Sequence, residues 1–268
     1  MPSIPSLYDL GALRAGTLEV LVASTPELIE ASQQLRYRVF FEEMGAKPTP
    51  EITAAKRDMD AYDAVCDHLL VVEYQADGSV KVVGTYRLLR RQAMARIGQF
   101  YSESEFDIAP IKAIKGNILE VGRSCVHPDF RNRAVMQLLW RGIGAYVAKF
   151  EIALMFGCAS FHGTDPQAHA MALSYLHHYH LAPEELRSTA LPERFINMNL
   201  MPKEAVDTRA AFSQLPALIK GYLRLSGYIG LGAVIDPEYN TTDVGIIVKT
   251  NLVTDKYAQR YRTPTTEE

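Results

Sequence analysis

Cysteine is scarce in this chain of 268 residues: Cys66, Cys125 and Cys158 are odd in number, widely spaced and free of any Cys-x-x-Cys pair. That argues against a disulfide framework and a cysteine-based zinc site, and suits a reducing cytoplasm. Basic excess is missing too: 28 Lys and Arg stand against 31 Asp and Glu, for a net charge of -3 and a pI near 6.2. A nucleic-acid binder normally carries a basic domain, so none is expected. Apolar runs stop short of the roughly 18 residues that a membrane-spanning helix needs. The opening MPSIPSLYDLGALRAG lacks the basic segment and apolar run of a signal peptide. No repeat, low-complexity block or linker breaks the chain. His177, His178 and His180 lack the i, i+4 spacing of a helical metal pair, so no metal is expected.

What is present is 48% hydrophobic residues, enough for a substantial core, in mixed strand and helix patterns. Thr17 to Ala23 reads as a strand. Ser24-Thr25-Pro26-Glu27 opens a helix that ends near Gly45. Residues 47–67 are polar and hold an acidic run, Asp58, Asp60, Asp63 and Asp67. Two strands, His68 to Tyr74 and Val80 to Leu89, flank an Asp77-Gly78 hairpin turn. Leu154 to Phe161 is a further strand, and Asp165-Pro166 starts a helix running through Tyr179. Weaker patterns suggest a strand at Arg194 to Leu200, a helix at Pro216 to Ser226, and strands at Ala233 to Asp236 and Val244 to Thr250. One domain over residues 1–268 is the simplest organisation, with a core of about 17–250 and a flexible tail at 251–268.

The chain is organised around Ile118 to Gln137, ILEVGRSCVHPDFRNRAVMQ. An apolar strand here carries Glu120 and Arg123, where a plain core strand has neither. Residues three apart on a regular strand face opposite ways, and Gly122 between them is where a bulge reorients one of the pair. A buried carboxylate beside such a bulge suits a general base, with freed backbone amides for an oxyanion; the alternative is an ordinary Glu–Arg ion pair. The basic loop Arg131-Asn132-Arg133 then leads into an apolar helix that reaches about Lys149, placing an anion carrier at a helix N-terminus.

Acetyl-CoA transferases of the GCN5-related fold have Arg/Gln-x-x-Gly-x-Gly/Ala at this place. Here Ala134 stands for the first glycine and Met136, too bulky for close approach, for the second small residue. This disfavours coenzyme A and leaves room for a single phosphate, as in phosphopantetheine on an acyl carrier protein. Cys125 and His127 share a strand parity, but nothing marks the thiol as activated.

Together LRYRVF with Arg36 and Phe40, Asp60-x-x-Asp63, TYRLL with Arg87, and Glu120-x-x-Arg123 resemble the acyl-homoserine-lactone synthases and their relatives, the ornithine–acyl carrier protein N-acyltransferases. GCASFHGTDP and the stretch PALIKGYLRLSGYIGLGAVIDPEYNTTDVGIIV resemble later motifs of the second group. The resemblance implies an α+β fold of the GCN5-related N-acyltransferase type, a central mixed, mostly antiparallel sheet flanked by helices. It implies transfer of a 3-hydroxy fatty acyl group from acyl carrier protein to the α-amine of ornithine, giving lyso-ornithine lipid. Glu120 takes the place of the general base, with Arg123 beside it. Arg36, Phe40, Asp60, Asp63 and Arg87 take substrate-binding places. Arg36 or Arg123 would grip the acceptor carboxylate, and Asp60 or Asp63 its side-chain ammonium. Arg131, Arg133 and Ala134 would meet the pantetheine and carrier. No bound cofactor is implied. Peripheral contact with the inner membrane through residues 216–234 stands against a buried helix there. The rival readings are a lactone or other N-acyl amino acid synthase, and a non-catalytic lipid- or membrane-binding protein.

Overall fold

The computed structural model describes residues 4–250, so the tail expectation for 251–268 lies outside the described residues. In chain order the strands are β1 (Arg14–Ala15), β2 (Leu18–Val22), β3 (Asp67–Tyr74), β4 (Val80–Arg90), β5 (Phe106–Asp107), β6 (Asn117–Val126), β7 (Ile152–His162), β8 (Thr189–Ala190), β9 (Tyr228–Asp236) and β10 (Thr241–Lys249). Two compact units emerge: 4–97 with 121–152, and 98–120 with 153–250. Strand β6 gives residues to both.

In the first unit the strand order is β1-β2-β3-β4-β6. β3 and β4 form the expected hairpin, closed by Gln75 N–H on Ser79 O at 2.9 Å, with Gly78 at φ +85°. β3 reads as an unbroken apolar run because both of its faces are covered. Leu70 and Val72 pack with Leu35 and Val39 of the N-terminal helical segment. Leu69 faces the other way, onto the helix Arg133–Lys149. Gly142 sets the closeness of that helix: a Cβ there would lie 2.7 Å from Val20 Cγ1 and 3.1 Å from Leu69 Cδ2.

The first helix is Pro26–Tyr37, with Thr25 Oγ1 accepting from Leu28 N–H as its cap. It runs on into a π-helical turn, Arg38–Glu43, before Gly45 at φ +75°. Single π-turns widen a helix by one residue and often accompany functional positions. Here the turn carries Phe40, which packs on the apolar cluster of β3, and Glu43.

In the second unit the order is β6-β7-β10-β9-β8-β5. β7, β10 and β9 are antiparallel neighbours, β8 pairs with β9 in parallel, and β5 pairs with β8 antiparallel. The fold is therefore the expected mixed, mostly antiparallel one. β9 begins five residues before the expected Ala233, because Gly230 and Gly232 hide it. A Cβ on Gly232 would meet Phe195 Cε2 at 2.4 Å, and its φ is +81°. The strand expected at Arg194 to Leu200 does not form: a 3₁₀ turn covers Pro192–Arg194 and a single bridge joins Ile196 to Ala233. The segment weighed for membrane contact divides into the helix Ala217–Arg224, which buries Ile219 and Tyr222, and the start of β9. No helix among the described residues is long and apolar enough to cross a membrane.

Candidate functional site

Glu120 is 5% exposed, on a strand whose neighbours Ile118, Leu119 and Val121 are also buried. A carboxylate in such surroundings must be hydrogen-bonded. The 3₁₀ turn Tyr101–Ser104 supplies the donors. Ser102 gives its N–H (2.7 Å) and its hydroxyl (2.5 Å) to Oε1, and Tyr101 N–H reaches Oε2 at 2.9 Å. The turn is pinned in turn by Phe100 N–H on Glu103 Oε2 at 2.8 Å and by Phe100 packed edge-on against Phe156. Cys158 Sγ lies 3.6 Å from Ser102 Oγ. The result is a desolvated carboxylate held in one orientation, the condition for a general base that acts at a fixed point. Sequence reading missed Tyr101 and Ser102, because two of the three donors are backbone amides.

The remaining expected residues fall in the first unit. Arg36 is 0% exposed. Its Nε donates to Asp58 Oδ2 at 2.7 Å, and Nη2 reaches Asp58 O at 2.6 Å and both Asp63 oxygens at 2.9 and 3.0 Å. Arg87 Nη1 donates to Asp60 Oδ1 (2.6 Å) and Asp63 Oδ1 (3.3 Å). Arg123 sits 3.3 Å from Asp58 and 3.5 Å from Asp60. Gln33 Nε2 completes Asp63 at 3.0 Å. Three guanidinium groups thus interlock with three carboxylates. Burial alone would raise the pKa of Asp58 and Asp63; Arg123, Arg36 and Arg87 outweigh it at Asp58, and Arg36 and Arg87 at Asp63, so both stay below the usual carboxylate range.

This network bears on two expectations. Arg36, one of the two candidates for the acceptor carboxylate, is enclosed and turns Nε and Nη2 to the 58–63 loop, while its Nη1 has no hydrogen-bond partner among the described residues. Asp63 likewise is not open to a substrate ammonium. Asp60 and Arg123, with side chains 27% and 12% exposed, form the solvent edge of the network. The distortion of β6 falls at Arg123 (φ +49°), not at the expected Gly122. An L-residue adopts the left-handed region at a cost of about 1–2 kcal/mol. Asp58 was visible only as one member of an acidic run.

At the start of the helix Arg133–Lys149, Asn132 Oδ1 accepts from Ala134 N–H (3.0 Å) and Val135 N–H (3.2 Å). The side chain of this cap takes donors that a pyrophosphate would use. Arg131 is clamped on Glu43, with Nη2 to Oε2 at 2.6 Å and a second contact from Nη1 to Oε1. Arg133 is exposed and Ala134 half-buried. Burial pushes the Cys125 thiol up to about 12, away from the thiolate that a nucleophile needs.

Residues 35–141 match the family model described as an acetyltransferase (GNAT) domain, which spans the Arg–Asp network, Glu120 and the start of that helix. Over 252 residues the chain is 47% identical to the L-ornithine N(alpha)-acyltransferase of Agrobacterium fabrum (strain C58 / ATCC 33970), covering 92% of this chain and 86% of that one. The protein of the same name from Brucella abortus (strain 2308) is 45% identical, over 92% of this chain and 90% of its own. Among solved structures, a CoA-dependent acyl-homoserine lactone synthase, BjaI, aligns over 89% of this chain and 84% of its own, with a TM-score of 0.49 and 15% identity. The chain is an acyltransferase of the GNAT fold. It belongs to the L-ornithine N(alpha)-acyltransferase family.

Proposed function

We propose that the enzyme moves a 3-hydroxy fatty acyl group from the phosphopantetheine thioester of acyl carrier protein to the α-amine of ornithine, forming lyso-ornithine lipid. The observation that carries the reading is the identity of 44–47% with four relatives of that one name, over 91–92% of this chain. In this reading Glu120 takes the proton of the ornithine α-ammonium, directly or through one water. The amine nitrogen attacks the thioester carbon, the C–N bond forms, and the C–S bond breaks to release the pantetheine thiol. Backbone N–H groups at the Arg123 distortion of β6 steady the oxyanion. Arg123 with Asp60 meets the acceptor, while Arg36, Asp63, Arg87 and Phe40 hold that wall in place. The capped helix start and the missing glycines support a carrier-bound donor over free coenzyme A. Such a donor places the reaction in the cytoplasm, with the lipid product passing to the inner membrane.

A mass-spectrometric assay tests the reading, with 3-hydroxyacyl carrier protein as donor and ornithine, lysine and S-adenosylmethionine as acceptors. Acylated ornithine is expected above all other products; acylation of another amine in preference would overturn it. The acidic carrier docks on exposed basic residues, of which Arg133 is free of the Glu43 clamp that holds Arg131. Arg133→Glu is expected to raise the KM for the carrier substrate by about tenfold with kcat unchanged, the mark of a rim charge that assists association. An unchanged KM, measured at low ionic strength, would remove Arg133 from the docking surface.

A further inference from the structure

A second group of carboxylates lies in the same unit as Glu120. Glu105, Asp236 and Asp243 each bring one oxygen within 4.8 Å of the others. Register brings Asp236 and Asp243 together, and Glu105 joins them from the end of the turn Tyr101–Ser104. On β10 and β9, Thr241 pairs with Asp236 and Asp243 with Val234, so Thr241, Asp243 and Asp236 share one sheet face. On β7, Ser160 pairs with Asp243 and His162 with Thr241 on that same face, and both are exposed, which gives the group an open side.

Two hydroxyls mark this face independently of the acids. Thr241 Oγ1 and Ser188 Oγ belong to residues 4% and 2% exposed, yet neither has a hydrogen-bond partner among the described residues. Ser188 Oγ lies over β10, only 2.6 Å from where a Cβ on Gly245 would stand. Glu105 Oε2, in a residue 2% exposed, is also unpartnered. Buried hydroxyls without partners cost about 1–3 kcal/mol each and are rare in folded proteins. Burial, and then the Asp243 charge, push the Glu105 carboxyl up, while a hydrogen bond from Cys158 and the Arg194 charge pull the other way. Arg194 approaches Glu105 Oε1 only to 3.7 Å, and it also donates to Ser104 O and Ile235 O.

We infer that Glu105, Asp236, Asp243 and the Thr241 hydroxyl form the pocket for the side-chain ammonium of the acceptor, and so select a diamino acid over one with a neutral side chain. This rests on the ornithine reading above. An ammonium has three donors to distribute among such acceptors. A hard divalent ion would want six or more oxygens, and Asp236 Oδ1 already accepts from Glu238 and Tyr239 N–H. Cys158, small and 3.6 Å from Ser102 Oγ, links this pocket to the residue that holds Glu120. The Arg–Asp network offers no such acidic excess, its three carboxylates being matched by three guanidinium groups.

The test is steady-state kinetics of the full chain with carrier-bound acyl donor, comparing ornithine with norvaline, which has the same carbon chain without the terminal amine. Asp243→Asn is expected to lower kcat/KM for ornithine at least about 30-fold, mostly through KM, the factor that 2 kcal/mol of charge pairing represents. The rate with norvaline should stay within about twofold on the same argument. Thr241→Val is expected to raise the ornithine KM several-fold while the thermal midpoint holds or rises, since an unpartnered buried hydroxyl is lost. A merely structural role cannot give that pair of results. Equal losses on both acceptors, or no loss on either, would overturn the pocket while leaving the ornithine reading intact. A wild-type enzyme indifferent to the two acceptors would overturn that reading and the pocket with it. Loss of activity on chelation, restored by calcium or manganese and abolished by Asp243→Asn, would make the group a metal site instead.

Discussion

Glu120→Gln is expected to lower kcat about 10²- to 10⁴-fold, the range that a positioned general base contributes. The ornithine KM should scarcely move, since the exchange removes proton transfer and not a binding contact. The rate of the variant should also climb with pH, tenfold per unit, while the free amine remains a minor species. Wild-type enzyme, with its own base, should not need that climb. The geometry adds a cost to the fold. Gln keeps one acceptor oxygen and replaces the other by an NH₂, which must then face the amide of Tyr101 or of Ser102. Two opposed donors in a buried site cost about 1–3 kcal/mol, so the melting point should fall as well. Ser102→Ala separates the two effects. It removes the hydroxyl donor at 2.5 Å but keeps the carboxylate and both backbone amides. It should loosen the turn comparably and cost activity no more than about tenfold, as the loss of one positioning contact does. Wild-type turnover in Glu120→Gln would remove the base; an equal collapse in both variants would make Glu120 a structural anchor.

Much of this site was legible in the sequence, and what was not has a common cause. Local chemistry marked the hairpin at Asp77-Gly78, the Thr25 cap and the long helix after Arg131-Asn132-Arg133, because each is decided by a few neighbouring residues. Glu120 and Arg123 stood out because charge is anomalous on an apolar strand. Their partners did not. Tyr101 and Ser102 act mainly through amides, which every residue has. Asp58 resembles Asp60 and Asp67 until folding encloses it with Arg36. Glu105, Asp236 and Asp243 lie in three separate segments, two of them joined by strand register and the third brought in at the end of the turn Tyr101–Ser104. β9 escaped for the opposite reason, since its glycines weaken the pattern where close packing demands them. Side chains whose role depends on long-range pairing leave little trace in local sequence.

The same principle governs the largest expected effect on stability, from Arg36→Met. Isolated in sequence, Arg36 would be taken for a surface residue on an amphipathic helix. Enclosed, it carries Asp58 and Asp63, themselves 2% and 7% exposed. Methionine nearly fills the volume but removes the charge, so two buried carboxylates lose a shared guanidinium. Breaking one side of a buried ion pair costs about 3–5 kcal/mol, against a total of about 5–15 for a typical domain. Urea unfolding should show a midpoint lowered accordingly at an unchanged slope, or a chain recovered only as aggregate. The pH response gives a second check. With Asp58 and Asp63 held below the usual range, their contribution is complete above about pH 4 and is lost as pH falls through the lowered values. In Arg36→Met burial pulls both carboxyls back up, so stability should fall less steeply on acidification than in the wild type. An unaltered acid limb would mean that Arg87 and Arg123 alone hold these carboxylates. Replacing Asp58 together with Arg36 by apolar residues should recover part of the loss, because the penalty lies in the stranded charge rather than in the missing bond. What such a double variant should not recover is the ion pair of Arg123 with Asp58, which leaves Asp60 as its carboxylate partner in this network.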